Sequence, residues 1–276
     1  MSDIVLSAGV RANLLQLQST ADLMTTTQTR LATGKRVNSA LDNPTNYFTA
    51  QGLSNRASDL SSLLDSMSTA VNTIQAANNG ITAITKLVQS AQSLASQALQ
   101  TSDTAVRSGL ATQFNALLTQ IDQLAGDSGF NGINLLKKNG TINDLKVTMN
   151  EGGSSSITIA AVDFTTGANG MNIGTATGNW ATASDIGTAT TDLSKALTTL
   201  RAQSQTFGSN LSTVQIRQDF TKSMINTLQV GSDALTLADT NEEGANLLAL
   251  QTRQQLSTTA LSLASQSSQA VLRLFG

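Results

Sequence analysis

Residues 10–31 read VRANLLQLQSTADLMTTTQTRL. Val10, Leu14, Leu17, Ala21, Met24 and Leu31 recur along it at steps of four and three, broken only at Gln28. A stripe of that period runs along one side of an α-helix and predicts a long helix lying beside another. The residues between are mostly Asn, Gln, Ser and Thr, so the stripe is narrow. A narrow stripe buries little area, and a helix that buries little is marginal in water. This segment needs partners.

The other end of the chain has the same style. Ala249, Leu256, Ala260, Leu263, Ala270 and Leu274 carry a related spacing almost to Gly276. One such helix from each end could pair, and the pair would still leave Leu15, Leu23, Leu248 and Leu272 uncovered. The pattern predicts ends completed by neighbouring copies. The packing positions between copies are expected at Val10, Leu14, Leu17, Ala21, Met24 and Leu31 on the first helix, and at Leu256, Ala260, Leu263, Ala270 and Leu274 on the last.

Between the ends, Asn43-Pro44 marks a helix boundary. A second seam then runs Leu53, Ala57, Leu60, Leu64, Met67, Val71, Ile74 and Ile81, with Asn78 its one interruption. A third carries Val106, Leu110, Phe114, Leu117, Ile121 and Leu124 and stops at Gly126. Next, Leu145, Val147 and Met149 alternate, as do Ile157, Ile159 and Ala161, around Asn150-Glu151-Gly152-Gly153, which predicts a β-hairpin. Residues 165–187 hold few large apolar side chains and read as a small exposed β region with loose connections, and the insert 142–183 is expected to tolerate deletion. Helical spacing returns at Leu193, Leu197, Leu200, Phe207, Leu211 and Val214, continued after a shift by Phe220, Met224 and Leu228. The fold class is mostly α, with long antiparallel helices or coiled coil formed by both chain ends and a small hairpin-containing insert. The expected domains are 1–44 with 236–276, 45–141 with 184–235, and 142–183.

Composition removes several functions. The 276 residues include no histidine and no cysteine, which leaves no disulfide, thiol or imidazole chemistry and no zinc site built on Cys or His. Aromatic residues make up 3%, which suits aliphatic helix seams better than a thick globular core. A net charge of −2 offers no basic field for a nucleic-acid backbone, and no apolar run is long enough to insert in a membrane. The first 25 residues lack a basic start followed by an unbroken apolar stretch, so no cleavable secretory signal is read there. No cofactor is expected.

RLATGKRVNSALDN (30–43) resembles the block RLSSGxRINSAxDD of bacterial flagellins. Gly129-Phe130-Asn131-Gly132 matches that family's FNG turn, and ASQSSQAVLRLFG (264–276) is similar to its ending ANQxPQxVLxLL. Each motif alone is weak, but their order and positions together are specific. Pro44, Tyr47-Phe48, and Ser268 at a usual proline depart from the pattern and suggest an altered elbow between inner and outer domains.

The resemblance implies a structural subunit, not an enzyme, that is exported unfolded by the flagellar type III apparatus and self-assembles into the extracellular filament used for motility. Its implied partners are copies of itself, the cap and junction proteins, and an export chaperone. The hook–filament junction protein has a related architecture and is the alternative. The family block also implies that Arg30, Arg36 and Asn38 hold the elbow by hydrogen bonds. Flagellins detected by the animal toll-like receptor carry a stretch resembling LQRVRELAVQ. The equivalent here is VQSAQSLASQ (88–97), in which Ser90 and Gln92 stand at the two arginine positions while Leu94 keeps the apolar frame.

Other patterns have plainer readings. Gly167, Gly170, Gly174 and Gly178 follow no clean strand and do not make a phosphate loop. Gly34-Lys35 lacks the rest of a P-loop. Glu242-Glu243 are neighbours that point apart on a helix and read as solvated surface or a contact between copies. Met24, Met67 and Met224 sit on apolar faces as core residues. An enzyme hidden in the insert would need clustered ionisable groups, and residues 165–180 contain none.

Overall fold

The computed structural model describes residues 8–140 and 142–274, without the side chains of 8, 268 and 271–274. In chain order the described elements are helices α1 (Ala8–Thr33), α2 (Pro44–Leu99) and α3 (Thr104–Asp127), strands β1 (Leu145–Thr148) and β2 (Ser156–Ile159), a short turn Thr177–Trp180, and helices α4 (Ala183–Thr236) and α5 (Thr240–Leu274). The mostly helical class with one small hairpin is as read from the sequence. The strands pair antiparallel with Leu145 opposite Ile159 and Val147 opposite Ile157.

Two compact units divide the chain: residues 57–225, and residues 1–56 with 226–276. The first unit has a continuous core. Met67, Ile74, Ile81 and Ile84 of α2, Phe114 and Ile121 of α3, and Leu193, Leu200 and Phe207 of α4 are all buried in it. The predicted seam of α2 is therefore the packed one, and its interruption Asn78 is bridged by the Ser204 hydroxyl at 3.4 Å. Local chemistry sets the boundaries. Asp103 caps α3 by accepting from the backbone N–H groups of Ala105 and Val106 at 2.8 and 3.4 Å. Thr182 and Asp185 form a reciprocal box at the start of α4, with hydroxyl to carboxylate at 2.6 Å.

The loose reading of residues 165–187 is overturned. Leu145, Val147, Ile159, Phe164, Met171, Ile173 and Trp180 are buried in the same core as the helices. Trp180 is fully buried, with its ring centroid 4.8 Å from that of Phe114. Two side chains of α3 fasten the segment: Asp122 accepts from the Thr166 amide and hydroxyl at 2.6 and 3.1 Å, and Asn115 accepts from the Ala176 amide at 2.9 Å. Gly178, Asn179 and Trp180 are all left-handed (φ 55°, 53° and 59°), a conformation costly for the last two. Apolar residues this sparse give no periodicity, which is why their burial escaped the pattern. Deletion of 165–180 would remove core, so tolerance there is not to be expected.

Two seams are also corrected. On α4, Phe220 is 55% exposed and Thr221 is buried in its place, continuing Val214 and Leu228 at steps of seven. On α3, Val106 faces outward.

Candidate functional site

The second unit is built from both ends of the chain. Within it α1 lies along α5, with Arg30 near the end of α1 meeting Glu243 near the start of α5 at 2.9 Å. The face of α1 toward α5 carries Val10, Leu17, Met24 and Leu31, as the stripe predicts, and all four are half-buried. Between them, however, stand Asn13, Thr20 and Thr27, not Leu14 and Ala21, which are exposed. Thr20 can be fully buried because its hydroxyl donates to the Gln16 carbonyl of its own helix at 2.8 Å. On α5 the inward positions are Glu243, Leu247, Leu250, Gln254, Ser257, Leu261 and Ala264. Leu256, Ala260, Leu263 and Ala270 face outward, and the side chain of Leu274 lies outside the described residues. A polar residue that satisfies itself carries no hydrophobic signal, so the apolar spacing does not separate the positions that face the partner helix from those that face outward.

The outward faces are consequently rich in leucine. Leu14, Leu15 and Leu23 of α1 and Leu248, Leu256 and Leu263 of α5 are 37–67% exposed. Leu15, Leu23 and Leu248 were expected to be uncovered; Leu272 falls where no side chain is described.

The elbow joins α1 to α2 against the α4–α5 junction. Gly34, at φ 68°, ends α1 and accepts from the Ala238 amide at 3.0 Å. The amides of Arg36 and Val37 donate to the Thr236 carbonyl at 2.7 and 3.2 Å, and Lys35 and Leu237 form a bridge. Asn38 holds the loop by donating to the Lys35 carbonyl at 2.9 Å. Arg36 reaches the Leu235 carbonyl at 3.5 Å. Asp42 accepts from the amides of Asn38 and Ser39, both at 2.9 Å. The Ser39 and Asn38 amides hold its carboxyl below the usual aspartate value. Asn43 caps α2 by accepting from the Asn46 amide at 3.0 Å, with Pro44 at the first helical position, where its missing N–H costs nothing.

Arg36 and Asn38 bond within this elbow, while Arg30 lies in the last turn of α1 and bonds to Glu243. Glu243 is a correction: it is not solvated but buried, with Oε1 on Arg30 and Oε2 without a partner among the described residues. Ser232 was missed as well. Its hydroxyl sits 2.9 Å from that of Ser54 and donates to the Ala50 carbonyl at 3.1 Å, fixing α4 to α2 within this unit. No short-range pattern marks either contact, because the partners are far apart in sequence.

Among the described residues no cluster of His, Cys, Asp or Glu could hold a metal ion, and no helix is long and apolar enough to cross a membrane. Ser90 is exposed and bonded to the Lys86 carbonyl at 3.0 Å, while Gln92 and Leu94 are half-buried on α2.

Over 276 residues the chain is 32% identical to flagellin FljM of Caulobacter vibrioides, covering all of this chain and 99% of that protein. The chain belongs to the flagellin family. Residues 8–141 of this flagellin match the family model for the bacterial flagellin N-terminal helical region. The flagellin of Brucella melitensis is 29% identical across the whole chain and 99% of its own length. The crystal structure of Bacillus cereus flagellin aligns with 60% of this flagellin and 88% of that chain at 21% identity and a TM-score of 0.45. As a flagellin the protein is a structural component of the flagellar filament, not an enzyme.

Proposed function

We propose that this flagellin self-assembles into a helical extracellular filament through the outward faces of α1 and α5, after export unfolded through the flagellar type III apparatus. The observation that carries the reading is the leucine display on both terminal helices, whose mutual seam includes buried threonine, Thr20 and Thr27, and half-buried leucine. Apolar area of that kind is stabilised by burial at about 25 cal/mol per Å² and stays in water in a single copy. The absence of cysteine suits passage of an unfolded chain, since no disulfide can close it into a loop. Its partners on this reading are further copies, the cap and junction proteins and an export chaperone.

The test is seeded polymerisation followed by electron microscopy, alongside limited proteolysis of dilute monomer. Filaments should form, and in the monomer protease should clip residues 1–40 and 240–276 before 57–225. A monomer whose ends resist cleavage, or seeds that fail to extend, overturns it. Ser90 and Gln92 supply no guanidinium, and losing charge-assisted bonds at a buried interface costs about 2–5 kcal/mol. On that basis the monomer stimulates toll-like receptor reporter cells weakly, and Ser90→Arg with Gln92→Arg raises the response.

A further inference from the structure

The sequence contains four Asn-Gly steps: Asn79-Gly80, Asn131-Gly132, Asn139-Gly140 and Asn169-Gly170. Glycine leaves its own amide nitrogen unshielded, so an Asn before it is open to attack on its side-chain carbonyl by that nitrogen. The attack needs the backbone to swing the glycine nitrogen round to Cγ. Whether it can do so is decided by the fold.

Three of the four are held. Asn79 and Gly80 lie inside α2, where backbone dihedrals are fixed and Gly80 is buried. A Cβ at Gly80 would collide with Ser128, so the helix has no room to open there. Asn131 and Gly132 form a two-residue turn with φ 50° and 80°, the left-handed pair of a tight hairpin. That turn is clamped by paired bonds between Phe130 and Ile133 at 2.9 and 3.0 Å. At the last site the attacking nitrogen is engaged, since the Gly170 amide donates to the Gly167 carbonyl at 2.9 Å. Gly170 is also pressed against the Thr165 carbonyl, leaving no space even for a methyl group.

Asn139-Gly140 is held least: like Asn131-Gly132 it is exposed and left-handed, but its turn lacks the second of the paired bonds. Both residues are exposed, and Gly140 is left-handed at φ 60° in a turn closed by one bond, from the Ile142 amide to the Asn139 carbonyl at 3.2 Å. Among the described residues neither the Gly140 amide nor the Asn139 side chain has a hydrogen-bond partner. Lys137 and Lys138, both exposed, stand just before it and favour a negative product.

We propose that Asn139 is a site of spontaneous deamidation, with water as the co-reactant. The Gly140 nitrogen bonds to Cγ of Asn139, the Cγ–Nδ2 bond breaks, and the Gly140 amide proton leaves with the departing nitrogen as ammonia. Water opens the resulting succinimide at either carbonyl to give aspartate or isoaspartate. One water is consumed, one ammonia is released and nothing is oxidised or reduced. The exposed loop thereby changes from two positive charges to two positive and one negative as the protein ages.

The experiment incubates purified full-length protein in mildly alkaline buffer made with heavy-oxygen water, then maps peptides by mass spectrometry and labels isoaspartate with its methyltransferase. Asn139 should convert first in the folded protein. Asn79, Asn131 and Asn169 should lag by roughly tenfold or more, the rate equivalent of ~1.4 kcal/mol of backbone reorganisation. In denaturant the four rates should converge. Asn139→Gln should remove the signal from that peptide, and Gly140→Ala should slow it at some loss of stability, because the backbone there is left-handed. Equal rates at the four sites in folded protein, or conversion at Asn139 no faster than at Asn169, overturns the proposal. So does an ordering of rates that persists unchanged in denaturant.

Discussion

The unit of residues 57–225 and the unit made from the two ends solve the same problem differently. In the first, aliphatic stripes from three helices and a hairpin meet Phe114, Phe164, Trp180 and Phe207 and leave almost no core side chain in contact with water. In the second, the fully enclosed positions of the α1–α5 seam are Thr20, Thr27 and Glu243, and leucines project away from it. Burial of large apolar surface is what offsets the entropy of ordering a chain. The first unit therefore contains its own stabilisation, and the second has less of it within one copy.

The largest test of that contrast is Trp180→Ala. It should cost the unit of 57–225 about 3–5 kcal/mol through lost packing and a cavity beside Phe114, read as a drop in the main thermal transition. A small shift would mean that the segment 165–183 is peripheral after all. Next comes Gly80→Ala, whose methyl group would run into Ser128 and Leu136; overpacking of this kind costs ~1–3 kcal/mol. Denaturant unfolding checks it, and the slope should stay that of the wild type. Glu243→Ala acts only on the other unit. Loss of its bond to Arg30, whose side chain is 34% exposed, should weaken the α1–α5 pair by about 1–2 kcal/mol. Hydrogen exchange should rise in residues 10–31 and 244–264 with no change in 57–225. Smallest for the single copy is Leu263→Asp, expected within about 0.5 kcal/mol of wild type because the side chain is already in water. On the proposed assembly the same change should raise the concentration needed for polymerisation sharply, since it would place a charge in a dry contact between copies. Polymerisation at the wild-type threshold would remove Leu263 from that contact.

How much of this was legible depends on what each region buries. The α2 seam from Leu53 to Ile81 was readable because its inward residues are apolar and regularly spaced. The hairpin was readable from the alternation of Leu145, Val147, Ile157 and Ile159. Trp180 and Phe164 were not, because each is a single large residue in a stretch of Gly, Thr and Asn, held by long-range bonds to Asp122 and Asn115. The terminal seam was half legible. Val10, Leu17 and Met24 are on the inward face together with Thr20 and Thr27, which no apolar spacing marks. Arg30, Arg36 and Asn38 were placed at the elbow by family likeness, whereas Glu243 needed the fold, since 213 positions separate it from Arg30.

That the second unit is made from both ends has a consequence in time. The stretch 57–225 is continuous in sequence and can begin folding once it is available. Helix α1 cannot find its intended neighbour until α5 has also arrived, after the whole intervening stretch, and closing so long a loop is slow. Through that interval α1 waits alone. Its threonine hydroxyls at Thr20, Thr25, Thr26 and Thr29 return to its own carbonyls, so those groups ask nothing of the helix that arrives later.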